Sequence, residues 1–374
     1  MPNKITVGYY AGPGHICQTY REWLVDPRVI SRSSYSGQFF SLLNSDFEGV
    51  IISSNESTDE VVGCWLYAGN IPYSNKDVGL KHYISCIKYK IKLAKLFRRK
   101  NVRIAIVQAD YDLWTCGVFR FYGIQVINSV HCTIDRVGLV HRVLNYFYLR
   151  YFSHGILCVS KRINKYIKNE LRLKLPVIEF LPTLTFDDYS SSTSSSETVF
   201  SYLYVGRVEK NKGVVCLLDA FSQVKKKHSD SRLIICGDGD YLDELKACVE
   251  KAGLFQSVSF LGHVPIGGLD SVYVHSDAVV VPTSSSFPEG FNKVALEAAM
   301  RLRPVIVTSV CPVVDEIEGF VVIEPDSVDD LTSAMMNLRN RSFYEKSVAT
   351  TRSSVEDFIK SKPHWNEAAN MLLR

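Results

Sequence analysis

Two cations lie on a glycine-bounded loop in the second half of this 374-residue chain. An apolar, strand-like run leads into Gly206 and Arg207, and Lys212 and Gly213 follow just before a helical pattern. A loop that enters a helix presents free N–H groups, which attract anions. The two cations add positive charge, and Arg suits the oxygen geometry of phosphate. The spacing therefore indicates phosphate binding, and the alternative is that both side chains are solvated surface charges.

A second loop carries two carboxylates. Glu289 and Gly290 follow the polar run after Pro282, and Glu297 lies about two turns into a helix predicted to open near Asn292. Gly290 has no side chain, so backbone can approach a ligand closely there. Glu297 stands among apolar neighbours, where burying an unpaired carboxylate would be costly, so it requires a polar partner. The pattern indicates N–H donors for phosphate beside carboxylates for sugar hydroxyls, and the alternative is two ordinary helix charges.

In this order, these segments resemble the retaining GT-B glycosyltransferases of family 4, the glycosyl transferases group 1. The resemblance is strong over residues 199–335, and a last helix containing Trp365 resembles the family segment that crosses back to the first domain. The motifs that carry it are Gly206-Arg207, Lys212-Gly213, Gly237-Asp238-Gly239, Phe260-Leu261-Gly262, and Pro282 through Glu289 and Glu297 to Pro304-Val305-Ile306.

The resemblance implies a role for each of these positions. Arg207 and Lys212 would hold the diphosphate of a nucleotide sugar, and Glu297 would accept hydrogen bonds from the ribose hydroxyls. Glu289 would contact and position the donor sugar. The other substrate-binding positions that it implies are Gly206, the amides of Gly290, Phe291 and Asn292 at the distal phosphate, and Gly237, His263 and Val264 near the base.

The chain departs from the family pattern at three places. Asn292 stands where glycine often follows Glu-Gly-Phe, Leu302 replaces a glycine expected before Pro304, and Cys311 and Pro312 replace an expected Gly-Gly. We expect the first change to alter how phosphate or sugar sits. The other two are expected to alter local loop shape and not the overall fold.

The first half matches the family less closely. Gly12 and Gly14 follow the opening strand, where the family places a glycine loop near donor and acceptor, and an ordinary turn is the alternative. His131 follows a buried strand, where the family often has a histidine near the transferred sugar. The alternative for His131 is a structural histidine with a satisfied hydrogen bond.

Two acidic motifs imitate other sites. Asp110 and Asp112 follow a predicted strand as Asp-x-Asp, a pattern that binds a divalent cation next to a diphosphate in another glycosyltransferase fold. Because Arg207 and Lys212 can supply that positive charge, we expect no metal and no other cofactor, and the nucleotide sugar is a substrate. Asp240, in Asp238-Gly239-Asp240, is a candidate helix cap.

Both halves alternate short apolar runs with amphipathic helical patterns. The predicted strands are 102–107, 125–130, 156–159, 199–205, 232–236, 278–281 and 305–307, and the predicted helices include 213–227, 243–252 and 292–301. Continuous apolar strands separated by helices favour parallel sheets covered on both faces, with ligands at the carboxyl ends of the strands. The predicted fold class is α/β of the GT-B type, with two Rossmann-like doubly wound domains facing across a cleft.

The predicted domains are an acceptor-side domain at 1–183, a Ser-rich linker at 184–198, a nucleotide-sugar-binding domain at 199–355 and a helix at 356–374 that crosses back. Residues 1–183 carry 24 Lys and Arg against 13 Asp and Glu, a formal charge of +11. Residues 184–374 carry 19 against 26, a charge of −7. A basic half joined to an acidic half indicates domains with different partners.

Composition excludes several classes of protein. A hydrophobic fraction of 46% excludes a disordered chain, and no run of about 18 uncharged apolar residues predicts a membrane-spanning helix. The first residues lack the apolar centre of a secretory signal. The ten cysteines form no Cys-x-x-Cys pair and several lie in apolar runs, so we predict buried thiols in a reducing compartment.

Residues 81–100 form a strongly basic amphipathic pattern, with apolar residues at helical spacing and Lys and Arg on the other face. Such a helix can attract anionic lipid, and the alternative is a solvated helix. We expect a cytoplasmic protein, peripheral at the inner face of the cytoplasmic membrane. Nucleic acid is not an expected partner, because no nucleic-acid-binding module is recognisable and the second half is acidic.

The predicted activity is therefore that of a retaining hexosyltransferase. It moves a sugar from a UDP- or GDP-linked donor to a hydroxyl of a glycan or glycolipid acceptor, such as a lipid-linked glycan or a surface polysaccharide precursor. No side chain is an obvious covalent nucleophile, and the resemblance implies a front-side displacement. The alternatives are a nucleotide-sugar 2-epimerase of the same fold and a non-catalytic nucleotide-binding or membrane scaffold protein.

Overall fold

A computed structural model describes residues 4–12, 14–44, 46–55, 58–73, 80–108, 113–132, 139–184 and 199–374. Residues 185–198 of the predicted 184–198 linker and the Asp110–Asp112 motif lie outside the described residues. The chain divides into two compact units: Met1–Thr183 with Lys362–Arg374, and Leu184–Ser361. The returning segment begins at Lys362 and not at residue 356, because a single helix continues to Ser361.

The first unit contains a largely parallel sheet. Its described strands are β1 Ile5–Gly12, β2 Phe47–Ser53, β3 Val61–Val62, β4 Leu66–Asn70, β5 Ile104–Val107, β6 Gln125–Val130, β7 Ser153–Cys158 and β8 Val177–Glu179. Their order is β3-β4-β2-β1-β5-β6-β7-β8, and only the β3–β4 pair among them is antiparallel. Strand addition reverses direction between β1 and β5, so the switch point of this sheet lies beside Gly12.

The second unit contains a parallel sheet. Its described strands are β9 Phe200–Val205, β10 Ser231–Cys236, β11 Val258–Gly262, β12 Ala278–Val281, β13 Val305–Thr308 and β14 Val321–Ile323. Their order, β11-β10-β9-β12-β13-β14, is that of a dinucleotide-binding Rossmann sheet. The switch point lies between β9 and β12, whose carboxyl ends lead into the Arg207 and Glu289 loops.

Helices connect the strands in both units. They are α1 Ile16–Val25, α2 Pro27–Ser33, α3 Tyr35–Leu42, α4 Leu80–Arg99, α5 Leu113–Phe121, α6 Leu139–Phe152, α7 Lys161–Lys165, α8 Val214–Lys227, α9 Leu242–Lys251, α10 Ile266–Val274, α11 Lys293–Met300, α12 Val328–Asn337, α13 Arg341–Ser361 and α14 Trp365–Leu373. Short turns of 3₁₀-helix follow at Lys210–Lys212 and Pro312–Asp315, and a π-helical turn at Tyr166–Glu170 extends α7. Among the described residues, no helix combines the length and the apolar character that a membrane crossing requires.

All seven strands predicted from the sequence are present, with ends that differ by up to three residues. Two other predictions are wrong. Helix α9 begins at Leu242 after Tyr241, so Asp240 is not its cap. The cysteines are not uniformly buried, since Cys64 and Cys248 are exposed. A local run of apolar residues is enough to predict a strand. The residue that caps a helix and the exposure of a thiol depend instead on which faces of a helix or loop the rest of the fold covers.

The last helix belongs to the first unit. Trp365 is fully buried there, 5.4 Å from the ring of Tyr9, and its indole N–H donates to Ser129 Oγ at 2.9 Å. Leu181 N donates to the carbonyl of Pro363 at 2.8 Å just before the helix begins. The aromatic side chain and these hydrogen bonds fasten α14 to the carboxyl ends of the first sheet.

Candidate active site

The loops after β9 and β10 touch through their backbones. Gly206 N donates to the carbonyl of Cys236 at 2.9 Å. A Cβ at Gly237, which has a φ of +145°, would lie 1.8 Å from the carbonyl oxygen of Gly206. The close approach therefore requires glycine at position 237. This contact fixes the path of the backbone after β9 and therefore the position of Arg207.

A partly buried ion pair joins the two switch-point loops. Lys212 Nζ lies 3.0 Å from a carboxylate oxygen of Glu289, and the two side chains are 16% and 15% exposed. The same ammonium lies 3.5 Å from the ring centroid of Phe287, and the guanidinium of Arg207 lies 5.8 Å from it. Arg207 is 59% exposed and pairs with Glu209 at 2.6 Å. The structure therefore brings Arg207, Lys212 and Glu289 together around one aromatic ring.

Asn292 shapes the loop that enters α11. Its φ is +87°, in the region that favours glycine, and its Oδ1 accepts a hydrogen bond from Ala295 N at 3.1 Å. Its Nδ2 donates to the same Glu289 oxygen at 3.3 Å. The side chain thus caps the helix and, with Lys212, holds the Glu289 carboxylate. These two contacts are what asparagine adds at a position where the family often has glycine.

The other two departures from the family pattern behave differently. Leu302 has a φ of +55°, so its backbone keeps the left-handed conformation that a glycine would adopt without strain. Cys311 has a φ of −76° and is buried, with its Sγ 3.7 Å from Thr308 Oγ1. Burial raises the pKa of the Cys311 thiol to about 11. A neutral, packed thiol therefore occupies that turn.

Glu297 is buried at 6% exposure and has the polar partner that the sequence required. Tyr273 OH donates to its Oε2 at 2.9 Å. Burial, and then the neighbouring Glu297 charge, raise the pKa of Tyr273 well above its ordinary value, so the phenol keeps its proton. Burial lowers the pKa of Lys293, one turn earlier on α11. The hydrogen bond fixes the carboxylate in one orientation.

The other predicted donor-site residues line the same edge of the second sheet. Gly237 N donates to the carbonyl of Gly262 at 2.8 Å, which joins the ends of β10 and β11 beside exposed His263 and half-buried Val264. Gly290 and Phe291 are buried, and Phe291 stacks on Phe358 with a centroid distance of 5.5 Å. This aromatic pair therefore anchors the backbone amides of Gly290 and Phe291.

Gly12 is the last residue of β1, at the switch point of the first sheet, and Gly14 lies just before α1. A Cβ at either residue would meet nothing within 4 Å among the described atoms. A cavity of about 200 Å³ begins at the next residue, His15, and its lining consists of His15, Cys17, Gln18, Arg21, Asp59 and Asn70. Charged and polar side chains therefore dominate the lining of this cavity.

His131 lies at the carboxyl end of β6 in a polar and aromatic setting. Its Nε2 is 2.9 Å from Ser129 Oγ and 3.3 Å from Gln108 Nε2. Its ring centroid is 4.4 Å from that of Tyr35 and 5.5 Å from that of Phe180. Burial lowers the pKa of His131 to about 3, so the imidazole is neutral near pH 7. The Nε2 atom of His131 thus has hydrogen-bond partners within the first unit.

Sequence reasoning predicted no contact for the side chains of three aromatic residues around these groups, Phe287, Tyr273 and Trp365. Phe287 lies within the motif from Pro282 to Glu289. Its position there, between Ser286 and Pro288, was the sequence signal that could have placed it near the site. Tyr273 and Trp365 contact residues far from them in the chain, and no local pattern reveals either contact.

Two Rossmann-like units, with a charged cluster at the switch point of the second, define a protein of the GT-B fold class. A sucrose-phosphate synthase from Thermosynechococcus elongatus, 13% identical, shares the fold with a TM-score of 0.72 over 99% of this chain and 97% of its own. The Anabaena protein HepE, solved with UDP and glucose and also 13% identical, gives 0.66 over 99% and 98%. At 13% sequence identity, this structural similarity establishes the fold alone.

Residues 186–351 match the family Glycosyl transferases group 1. An uncharacterised glycosyltransferase of Methanocaldococcus jannaschii is 36% identical over 132 residues, 34% of this chain and 33% of that protein. A lipopolysaccharide 1,2-N-acetylglucosaminetransferase of Salmonella typhimurium is 26% identical over 195 residues, 49% of each chain. The chain thus spans less than half of each relative. Most of the second unit is similar to the group 1 glycosyltransferases.

Proposed function

We propose that the chain is a retaining glycosyltransferase that moves a hexosyl group from a UDP- or GDP-linked donor to a hydroxyl of a glycan or glycolipid acceptor. The observation that carries the proposal is the partly buried Lys212–Glu289 pair at the switch point of a Rossmann sheet. The first group is cationic and suits a diphosphate, and the second is a hydrogen-bond acceptor that suits sugar hydroxyls. Both are held in place before any ligand arrives.

The chemical step breaks the bond between the anomeric carbon and the diphosphate oxygen, and forms a bond to the acceptor oxygen on the same face of the sugar. The acceptor proton passes to the departing phosphate oxygen. Negative charge grows on the diphosphate as the bond breaks, and Lys212 and Arg207 stabilise it. Glu289, held by Lys212 and Asn292, receives hydrogen bonds from donor-sugar hydroxyls. Glu297, oriented by Tyr273, does the same for the ribose.

The reaction needs no divalent cation in this proposal. The leaving diphosphate meets the two cations that lie around Phe287, and these supply the positive charge that a metal ion provides in other enzymes. The acceptor binds at the first unit, where the cavity beside His15 offers hydrogen-bonding side chains. The Salmonella relative transfers a sugar in lipopolysaccharide synthesis, which supports a lipid-linked glycan or surface polysaccharide precursor as the acceptor class.

The test is calorimetric titration with UDP- and GDP-sugars, followed by a transfer assay on lipid-linked and oligosaccharide acceptors with excess chelator. We expect one donor to bind, Glu297→Gln to bind it about tenfold or more weakly, and transfer to persist in chelator. The control Glu345→Gln removes an exposed ion pair with Arg341 and leaves binding unchanged. Conversion of the donor to an epimer without acceptor, or donor binding without turnover on any acceptor, would contradict the transferase assignment.

A peripheral association with an anionic membrane belongs to the same proposal. On α4, Leu93, Ala94 and Phe97 are buried, while Lys88, Lys92, Lys95 and Arg99 form an exposed stripe at helical spacing. Lys90 is not part of this stripe, because it is buried with its ammonium 4.4 Å from the ring centroid of Tyr10. The stripe presents four cations to one side, which favours a negatively charged lipid surface.

An apolar ridge lies in the same layer of helices. Helix α5 packs against both α4 and α6, and Val143, Phe147 and Tyr151 of α6 are 46%, 50% and 60% exposed at a spacing of four residues. Exposed aromatic and aliphatic groups beside cations are typical of surfaces that enter the headgroup region of a bilayer. We therefore assign this helical layer to the cytoplasmic membrane face.

Vesicle sedimentation tests the membrane surface. We expect the protein to bind vesicles containing about a third anionic phospholipid in preference to neutral ones, and the triple variant Lys88→Glu, Lys92→Glu, Lys95→Glu to lose at least tenfold in partitioning, since each basic residue contributes ~1 kcal/mol. The control reverses Lys226, Lys227 and Lys251 of the second unit, which are also exposed. Equal binding of the two triple variants would place the lipid contact elsewhere.

A further inference from the structure

The ring of Phe287 lies against the ammonium of Lys212. The nitrogen is 3.5 Å from the ring centroid, well inside the ~6 Å over which a ring face attracts a cation. The Lys212 side chain is 16% exposed, and this attraction grows as water is removed from the cation. A carboxylate oxygen of Glu289 lies 3.0 Å from the same nitrogen. The ammonium therefore has an electron-rich ring face and one carboxylate oxygen as neighbours.

Backbone hydrogen bonds hold the ring in this place. Ser284 N donates to the carbonyl of Asn211 at 3.1 Å, and Phe287 N donates to the carbonyl of Ser284 at 3.1 Å, as in a β-turn. Asn211 directly precedes Lys212 in the chain. The turn that carries the ring is thus tied to the residue next to the lysine, and the ring is kept within reach of the ammonium.

Asp326, in the loop between β14 and α12, also holds this turn. Its Oδ2 accepts hydrogen bonds from the backbone N and the Oγ of Ser285, at 3.0 and 2.5 Å. These bonds lower the pKa of the Asp326 carboxyl, so the group is charged near pH 7. Hydrogen bonds to an ionised acceptor are roughly twice as strong as those between neutral groups. The turn is therefore anchored at its first and second residues.

We propose that Phe287 is a positioning residue, whose ring face holds the Lys212 ammonium in the orientation that receives a diphosphate. Glu289 supplies a single oxygen, about which the flexible lysine side chain can still swing. The ring face supplies a second contact and removes that freedom. The role rests on the proposed function for the identity of the ligand, which is the diphosphate of the donor.

An aromatic ring suits this position because it holds a cation without neutralising it. A second carboxylate beside Lys212 would add a negative charge that repels a diphosphate, whereas the ring carries no net charge. Ordering a lysine side chain costs entropy, and a side chain ordered in the free protein does not pay that cost when the ligand binds. The ring thus raises diphosphate affinity through the placement of Lys212.

The test replaces Phe287 with phenylalanines that carry one, two and three fluorine atoms on the ring. Fluorine withdraws electrons from the ring face and weakens its attraction for a cation, while the shape of the ring changes little. Calorimetry on the full chain then measures the affinity for inorganic pyrophosphate, UDP and GDP. We expect affinity to fall stepwise with each fluorine, by about two- to tenfold over the series, and Phe287→Leu to lose at least as much.

Tyr241 provides the matched control. Its ring lies 4.9 Å from the ammonium of Lys210, in the same 3₁₀ turn as Lys212. Tyr241→Leu should leave the affinity for pyrophosphate unchanged, because it removes a ring from the neighbouring lysine and leaves Lys212 and Phe287 in contact. Loss of affinity in Tyr241→Leu equal to that in Phe287→Leu would overturn the inference, since the effect would then not depend on which lysine the ring contacts.

Spectra of protein labelled with ¹³C at the lysine ε carbons locate the ammonium without any ligand. Protons above a ring face are shifted upfield, so we expect an upfield ε-methylene signal for Lys212, assigned with Lys212→Ala. This shift should disappear in Phe287→Leu and persist in Tyr241→Leu. A Lys212 signal that Phe287→Leu leaves unmoved would overturn the inference.

An affinity that is constant across the fluorinated series would also overturn it, because Glu289 would then be sufficient to place Lys212. None of these measurements requires turnover, so they separate the inference from the proposed function. Stepwise loss of diphosphate affinity in a chain that transfers no sugar would contradict the glycosyltransferase assignment and leave the role of Phe287 intact. Sugar transfer with an affinity that is indifferent to fluorination would do the reverse. Failure of pyrophosphate, UDP and GDP to bind the wild type would overturn both.

Discussion

We expect Lys212→Ala to lower kcat for sugar transfer by about 10²- to 10³-fold. Removing one preorganised group that stabilises transition-state charge has an effect of this size in other enzymes. Here the loss is compounded, because the Glu289 carboxylate, at 15% exposure, loses its counter-ion and then repels the leaving diphosphate. Asn292 still donates to that carboxylate, so the loop that enters α11 should keep its conformation.

Lys210→Ala is the matched control for this prediction. Lys210 lies in the same 3₁₀ turn, but its ammonium is 4.9 Å from the ring centroid of Tyr241 and is not paired with Glu289. The two variants remove the same charge from the same short segment. Steady-state rates with the bound donor and its acceptor compare them. A Lys210→Ala enzyme as slow as Lys212→Ala would mean that total loop charge, and not the placement of Lys212 against Glu289, governs the rate.

The double variant Lys212→Ala, Glu289→Gln separates the two contributions to the loss. If the unpaired carboxylate accounts for part of the effect, neutralising it should recover part of kcat, so the effects of the two single variants will not add. Recovery is limited because Glu289 also receives hydrogen bonds from the sugar in the proposed reaction. Strictly additive losses would show that Lys212 and Glu289 act independently, against the geometry of the pair.

The sequence predicted the second unit well because its chemistry is local. Strands such as β12 are continuous apolar runs, and Arg207, Lys212 and Glu289 follow strand ends within a few residues, so their place at the sheet edge follows from topology. The contact between Lys212 and Glu289 was not predictable, because it depends on how two loops from adjacent strands meet. The same holds for Phe287, whose ring lies beside both cations.

Residues with distant partners were the least predictable. Glu297 could be recognised as a carboxylate that needs a partner, but only the packing of α10 against α11 identifies Tyr273. His131 could be placed after a strand, while its hydrogen bond to Gln108 joins two separate chain segments, the ends of β5 and β6. Asn292 and Leu302 illustrate a further limit. Their positive φ values are properties of the backbone and cannot be predicted from the residue types alone.

Gly213→Ala should destabilise the second unit by roughly 3 kcal/mol or more and abolish donor binding. Gly213 has a φ of +75° and directly precedes α8, and a Cβ there would lie 1.8 Å from the carbonyl oxygen of Pro282 at the end of β12. That oxygen belongs to backbone, so relief requires the β9 and β12 loops to separate. Separation moves Lys212, the adjacent residue, away from Glu289.

Gly253→Ala isolates the conformational part of this effect. Gly253 has nearly the same φ, +70°, but a Cβ there meets nothing within 4 Å. Its alanine variant should therefore lose only the ~1–2 kcal/mol that the left-handed conformation costs an L-residue, and should bind donor normally. Denaturant unfolding compares the free energies of the two variants, and calorimetry compares their donor affinities. Because the φ values match, any excess loss in Gly213→Ala measures the contact with Pro282, and the absence of an excess would mean that the two switch-point loops do not approach each other as closely as this geometry requires.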